Sequence, residues 1–283
     1  MSTVVSINGD VCAEQEARVS VFDRGFLYGD GVFEVMRTAR GVPFQLDAHL
    51  LRLRAGAQAI GIALPAEASL RRELQAVLDR RAGVESFVRI VVTRGVGESG
   101  VLPVGANAPT RVIIATDLRL PDARVYEQGL HAATVVAEAC HGELGLEDGK
   151  ATQYLRNILA LRIAHARGAQ DALLLDTMGN VIEGATSNVF VVRGFSAVTP
   201  ASSSGALSGI TRGVAVKLLE RMGMTVHYAA IPISEVAGVD ECFLTSSIRG
   251  VVPVTTIDGR KVGRGVVGPV TEGLMAAYAA LLS

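Results

Sequence analysis

Strand-like and helix-like segments alternate through both halves of this 283-residue chain, and that mixture predicts an α+β fold of two domains. Val4 to Ile7, a turn at Asn8-Gly9 and a second short run read as an opening β-hairpin. Arg18 to Phe22 alternates like a further strand, the glycine-rich Asp23 to Gly31 follows, and Val32 to Thr38 is strand-like again. Asp47 predicts the N-cap of a helix with His49, Leu50, Leu53, Ala57 and Ile60 at helical spacing; Ala66 to Arg81, closed by Gly83, predicts a second. Ser86 to Thr93 and Arg111 to Thr116 are apolar β runs. Between them, Gly95 to Pro109 is rich in glycine and proline and lacks periodicity, which marks a long loop of the functional or mobile kind.

Leu120 to Gly129 reads as a linker, after which the pattern restarts. A strand near Leu130 to Glu138, a helix from about Thr152 to Arg167 and a hairpin over Ala172 to Glu183 come first. The strand Asn188 to Arg193, a helix from Thr211 to Gly223 and apolar runs at Glu241 to Ser246 and Val251 to Ile257 complete it. The expected organisation is a small N-terminal domain over 1–119, a linker over 120–129 and a larger C-terminal domain over 130–283. No internal repeat is visible.

Composition excludes several classes. Hydrophobic residues make up 49% and charged residues 19%, a balance that supports a packed core rather than disorder. The formal net charge is −1, so no basic surplus exists to neutralise a phosphate backbone, and nucleic acid is not an expected partner. The apolar stretches are too short or interrupted to span a bilayer, and the N-terminus has no basic region followed by a long apolar one. Cys12, Cys140 and Cys242 are isolated and odd in number, and the five histidines show no ligand spacing. Neither a disulfide framework nor a metal site is expected, and a reducing cytoplasm is the expected compartment.

Only three of the 27 basic residues are lysines, namely Lys150, Lys217 and Lys261. Any chemistry that needs a primary side-chain amine has just these candidates. Lys217 lies in an ordinary surface helix and Lys261 at a turn tip, whereas Lys150 sits in a polar loop just before a helix. Val91-Val-Thr-Arg-Gly95-Val-Gly97-Glu-Ser-Gly100 matches the G-x-G-x-x-G spacing of dinucleotide-binding folds, but Val101 to Pro109 cannot form the helix that must receive the pyrophosphate. Gly209-Ile210-Thr211-Arg212 opens a helix after the Gly/Ser-rich Ser202 to Ser208. Free backbone amides, a hydroxyl and the helix dipole there could cradle a phosphate, or the serine and threonine could simply cap the helix.

Six motifs in order then carry a resemblance that spans nearly the whole chain. Asp23-Arg-Gly-Phe-Leu-Tyr-Gly-Asp-Gly-Val-Phe-Glu34, His49-Leu-Leu-Arg-Leu53, Lys150 with Tyr154, Glu183-Gly-Ala-Thr-Ser-Asn188, Gly209-Ile-Thr-Arg212 and Val251-Val-Pro-Val254 resemble the class-IV aminotransferases. That group includes branched-chain and D-amino-acid aminotransferases and aminodeoxychorismate lyase. The resemblance implies a smaller α+β domain and a larger pseudo-barrel domain (fold type IV) with pyridoxal 5′-phosphate between them. It implies a homodimer whose site borrows residues from the partner, with Gly95 to Pro109 covering the substrate.

The same resemblance assigns roles. Lys150 holds the cofactor as a Schiff base and shuttles the α-proton, Glu183 keeps the pyridine nitrogen protonated, and Tyr154 hydrogen-bonds the ring hydroxyl. Arg52, the amides of Ile210 and Thr211 after Gly209, the Thr211 hydroxyl and a hydroxyl at Ser247, beside Ser246, bind the phosphate; Asn188 supports the cofactor loop. For the substrate, Phe87-Val-Arg89 resembles the aromatic-x-Arg of branched-chain enzymes, and Phe33 belongs to Phe33-Glu-Val-Met-Arg37, which departs from their Phe-Glu-Gly-Ile-Arg. The loop lacks the Arg-x-His pair of D-amino-acid enzymes. The turn Thr245-Ser-Ser247-Ile248-Arg249 departs from the small Gly-Thr-Ala turn of branched-chain enzymes, leaving Arg249 and Arg89 as alternative carboxylate binders. The expected reaction moves an amino group between an amino acid, branched-chain-like or D, and a 2-oxo acid; the alternative is the lyase, which releases pyruvate and p-aminobenzoate.

Overall fold

Every second residue of Ser86–Thr93 is buried, so this strand presents one face to a core and leaves Phe87, Arg89 and Val91 on the other. The computed structural model describes residues 3–136, 150–236 and 238–283. Cys140, the last residues of the strand expected to reach Glu138, and the polar stretch from Glu143 to Gly149 lie outside the described residues. The chain divides into two compact units, Met1–Arg119 with Asp148–Gln153, and Leu120–Glu147 with Tyr154–Ser283. A single second domain running uninterrupted from residue 130 differs from this division, because the segment at Lys150 belongs with the first unit.

The first unit runs β1 (Val4–Ile7), β2 (Asp10–Ala13), α1 (Arg24–Tyr28), β3 (Gly31–Ala39), β4 (Val42–Pro43), α2 (Leu46–Ala59), α3 (Glu67–Arg80), β5 (Ser86–Thr93) and β6 (Thr110–Asp117). Its six-stranded sheet has the order β2-β1-β6-β5-β3-β4. Val32 and Met36 of β3, with Val88, Ile90 and Val92 of β5, pack on Leu50 and Leu53 of α2 and Leu70 and Leu74 of α3. Each such side chain contributes about 2 kcal/mol by leaving water, so burial rather than propensity holds these helices. Arg18 to Phe22 is not a strand. Among the described residues it pairs with no strand, Val21 and Phe22 are exposed, and Asp23 instead accepts the Gly25 amide and caps α1.

The second unit runs α4 (Ala123–Gln128), β7 (Leu130–Val136), α5 (Leu155–Ala166), β8 (Asp171–Leu175), β9 (Asn180–Gly184), β10 (Asn188–Arg193), β11 (Ser196–Thr199), α6 (Ile210–Arg221), β12 (Thr225–Tyr228), β13 (Ile231–Pro232), α7 (Ile233–Val236), β14 (Glu241–Ser246), β15 (Gly250–Ile257), β16 (Arg260–Lys261) and α8 (Pro269–Ala280). Its ten-stranded mixed sheet follows β12-β11-β10-β14-β15-β7-β8-β9-β13, with β16 paired to β15. β8 is buried along its length because alternate residues serve two cores: Leu173 and Leu175 one, Ala172 and Leu174 the other, beside Ala160 and Ala164 of α5.

Several elements correct the sequence expectations. Asp47 does not cap α2: the helix begins at Leu46 after Gln45, and Asp47 lies in its first turn. The stretch read as a linker contains α4, started by Asp122, whose carboxylate accepts the Arg124 amide, and ended at Gly129 with φ +74°. The C-terminal α8 (PVTEGLMAAYAA) follows the last apolar β run and is not among the expected elements. Its signals are nonetheless present: Pro269 at the first turn and a buried Thr271, Leu274 and Tyr278 stripe.

Candidate active site

Lys150 is held against the first unit by backbone pairing. The Phe33 amide donates to the Lys150 carbonyl at 2.8 Å, Ala151 bridges Val32, and the Thr152 amide donates to the Gly31 carbonyl at 3.0 Å. The Thr152 hydroxyl adds a bond to the Gly29 carbonyl at 2.5 Å. Gly31 is needed chiefly by the pairing of β3 with β5, where a Cβ would stand 2.7 Å from the Val92 carbonyl oxygen; Thr152 Cγ2 would lie 3.4 Å from the same Cβ. With its backbone fixed, Lys150 places Nζ 4.8 Å from the Phe33 ring centroid, and the Arg89 guanidinium carbon lies 4.8 Å from the same centroid. Arg89 reaches that ring from β5, where it stands opposite Val35 of β3. Lys217 and Lys261 are exposed.

Phe33 and Glu34 are neighbours on β3 and therefore point to opposite faces of the sheet. On the helix-covered face, Glu34 accepts Arg52 Nε at Oε1 and Nη2 at Oε2, both at 2.7 Å, and His49 Nδ1 lies 2.7 Å from Oε2. The structure therefore brings Lys150, Phe33 and Arg89 together on one face and joins Arg52 to Glu34 and His49 on the other. Sequence reasoning gave Glu34 and His49 no role. The available signal was spacing: His49 and Arg52 are three apart on one helix, facing the only acidic residue in β3. Burial pushes the Glu34 carboxyl up, but the bonds from Arg52 and then His49 outweigh it and hold it below the usual range.

In the second unit, one backbone residue is gripped at both ends. The Leu207 amide donates to Glu183 Oε2 at 3.0 Å, and Asn188 Nδ2 donates to the Leu207 carbonyl at 2.7 Å. Glu183 comes from β9 and Asn188 from the start of β10, both buried. A Cβ on Gly209 would lie 1.7 Å from Asn188 Oδ1, so glycine is required where this knot meets α6. Ile210 and Thr211 form the first turn of α6, which begins at Gly209 without a side-chain cap. The Ser/Gly-rich segment before it is tied internally, with Ser202 Oγ 2.8 Å from Ser208 Oγ and Arg212 donating to the Pro200 carbonyl at 2.9 Å.

Tyr154 stands half-buried at the N-cap of α5. Ser246 ends β14, and Ser247, Ile248 and Arg249 form the half-buried turn into β15. Arg249 is braced: Nη1 donates to the buried Asp171 at 2.7 Å, Nη2 to Thr186 Oγ1 at 3.5 Å, and its carbonyl accepts the Tyr126 hydroxyl at 2.9 Å. Its guanidinium fixes a turn, which the sequence alone did not disclose because Asp171 lies far away in the chain.

The chain matches the family model described as amino-transferase class IV over residues 31–257. The chain belongs to the class-IV aminotransferases. It is 35% identical to a provisionally named branched-chain-amino-acid aminotransferase of Methanocaldococcus jannaschii, over 97% of this chain and 94% of that one. It is 32% identical to the D-alanine aminotransferase of Bacillus licheniformis, over 96% and 95%. Its structure is similar to that of the T.th. branched-chain amino acid aminotransferase with pyridoxamine 5′-phosphate, with TM-score 0.92, 28% identity, and coverage of 100% of this chain and 94% of that one. These relatives are named as aminotransferases, and the lyase alternative gains no support from them. This class-IV aminotransferase has the α+β, two-unit fold that its family resemblance implied.

The G-x-G-x-x-G spacing is accounted for within this aminotransferase. A Cβ on Gly95 would stand 2.0 Å from the Ala108 carbonyl oxygen, and one on Gly97 2.7 Å from Ala106 Cβ. These glycines let the two arms of a loop close together, and no helix follows them.

Proposed function

We propose that this enzyme uses pyridoxal 5′-phosphate, held by Lys150, to move an amino group between a branched-chain-like amino acid and a 2-oxo acid. The observation that carries it is the pairing of Lys150 and Arg89 on the Phe33 ring, an amine and a carboxylate-binding fork at one aromatic wall. The residues fit a phosphorylated ligand on this chain's own geometry: an uncapped helix N-terminus, a glycine that a Cβ would block, and a buried carboxylate locked on the same backbone knot.

When bound, the cofactor supplies an aldehyde that takes up amines and a protonated ring that draws in electron density. Lys150 binds at Nζ and then moves the substrate α-proton on the same nitrogen. Glu183 holds the proton at the ring nitrogen, its carboxylate fixed by the Leu207 amide. The α6 amides at Ile210 and Thr211, with the hydroxyls of Thr211 and Ser247, orient the phosphate, and Tyr154 and Ser246 complete the surround. Arg52 serves the phosphate or braces Glu34; its fork supports the second role. Arg89 receives the substrate carboxylate. Arg249, already paired to Asp171, braces the Ser246–Ile248 turn.

We further propose a cytoplasmic homodimer in which Gly95 to Pro109 covers bound substrate. Exposed Phe22 and Phe26, and separately Leu155, Ile158, Leu159 and Ile163 along α5, are apolar surfaces of the kind a partner covers. Among the described residues no helix is long and apolar enough to cross a membrane.

A donor screen tests the reaction. Purified yellow enzyme is mixed with single amino acids, both enantiomers of each, and its visible absorbance followed. Bleaching by an aliphatic amino acid alone is expected. Bleaching by D-alanine and not by L-leucine, or pyruvate release without a co-substrate, contradicts the proposed substrate.

A further inference from the structure

One arginine holds the Gly95–Pro109 loop at both its root and its tip. The Arg24 amide donates to the Gly95 carbonyl at 2.9 Å. Its guanidinium, with the side chain only 3% exposed, reaches the tip: Nη1 donates to the Gly100 carbonyl at 2.8 Å and the Leu102 carbonyl at 3.5 Å, and Nη2 to the Val101 carbonyl at 2.5 Å. Nε pairs with Asp30 at 3.0 Å, and the guanidinium carbon lies 4.7 Å from the Tyr28 ring centroid. The Tyr28 hydroxyl accepts the Gly100 amide at 3.2 Å.

Successive carbonyls in an extended chain point in alternating directions. Here Gly100, at φ +134°, bends the tip so that three of them converge on one buried cation, and charge-assisted bonds about twice as strong as neutral ones hold them there. The glycine-lined arms of the loop already touch, so the tip cannot slide. With its carbonyls turned inward, the tip turns its side chains outward: Val101 is 83% exposed and Leu102 76%. Two neighbouring apolar side chains held in water in a fixed pose form a contact surface rather than a buried core.

We infer that Arg24 is a positioning residue: it fixes the loop tip in the pose that Val101 and Leu102 need to cover an aliphatic substrate, without touching substrate itself. This rests on the covering role proposed above for the loop. Arg24 lies in the Asp23–Gly31 motif, yet nothing in the family roles assigned to this chain employs it.

The test compares holoenzyme with Arg24→Lys, whose single ammonium keeps the charge beside Asp30 but cannot fork to three carbonyls. Hydrogen exchange of the 96–104 peptide, KM and kcat for an aliphatic amino donor, and visible cofactor absorbance are measured together. Exchange at the tip should rise about tenfold and KM about tenfold, with kcat within about threefold and absorbance unchanged, as expected when uniform binding is lost. Arg24→Met should move both quantities further in the same direction; if it fails to fold, the lysine variant still decides. Unchanged exchange overturns the fastening, and faster exchange with unchanged KM overturns its link to substrate. A wild-type protein with no lysine-bound cofactor would instead sink the proposed function while leaving the exchange result to judge the fastening.

Discussion

The Arg52 guanidinium grips the Glu34 carboxylate with two parallel bonds of 2.7 Å, and both side chains are nearly sealed from water, at 9% and 1% exposure. A buried pair of this kind is costly to break from one side, because the remaining charge stays buried with less compensation. Arg52→Ala is expected to destabilise the protein by about 3–5 kcal/mol in addition to any loss of cofactor retention. Urea unfolding of the cofactor-free protein checks this. A loss under about 1 kcal/mol, the range of exposed pairs, would show that the fork contributes little.

The same carboxylate makes stability depend on acid. Because the folded-state Glu34 carboxyl titrates below its ordinary value of 4.5, its contribution is complete above that pH and is lost as pH falls through the lower folded value. Wild-type stability should therefore drop as pH is lowered below 4.5, and Glu34→Gln should flatten that part of the curve while lowering the plateau. Parallel denaturation curves for the two proteins across the acid range would contradict this.

Gly209→Ala is expected to weaken cofactor binding. The added Cβ would stand 1.7 Å from Asn188 Oδ1, so either the Asn188–Leu207 bond or the start of α6 must move. Overpacking of this kind costs about 1–3 kcal/mol, corresponding to about fivefold to 150-fold in cofactor affinity if it falls on the anchor turn. Cofactor titration by absorbance measures it; wild-type affinity in the variant would show that the knot has no part in binding.

Arg89 and Arg249 should part company in mutation. Arg89→Leu is expected to raise KM for carboxylate substrates by about tenfold or more, with cofactor absorbance and melting temperature little changed. Arg249→Leu leaves Asp171 buried without its guanidinium and should lower the melting temperature by several degrees. Steady-state kinetics with thermal melts separates the two. The reverse pattern would make Arg249 the carboxylate binder.

Much of this was legible in the sequence where local signals agree with the fold. The helix with His49, Leu50 and Leu53, the alternation in Ser86–Thr93 and a helix opening near Gly209 each follow from spacing and glycine placement, whereas the lack of a side-chain cap there does not. What escaped were pairings between distant segments. Arg249 with Asp171, Arg24 with the Gly100–Leu102 carbonyls, and the run at Lys150 joined to the first unit depend on tertiary contacts between residues scores of positions apart. Arg18 to Phe22 failed for the opposite reason: alternation is present, but among the described residues no strand pairs with it.

The most direct test is where borohydride fixes the cofactor. With three lysines in the chain, reduction of the yellow enzyme followed by tryptic mass mapping has three possible answers. A phosphopyridoxyl group on Lys150, blocking cleavage there and yielding one peptide from Val125 to Arg156, is the expected result. Label on Lys217 or Lys261, or a protein that binds the cofactor and takes no label, would contradict the account.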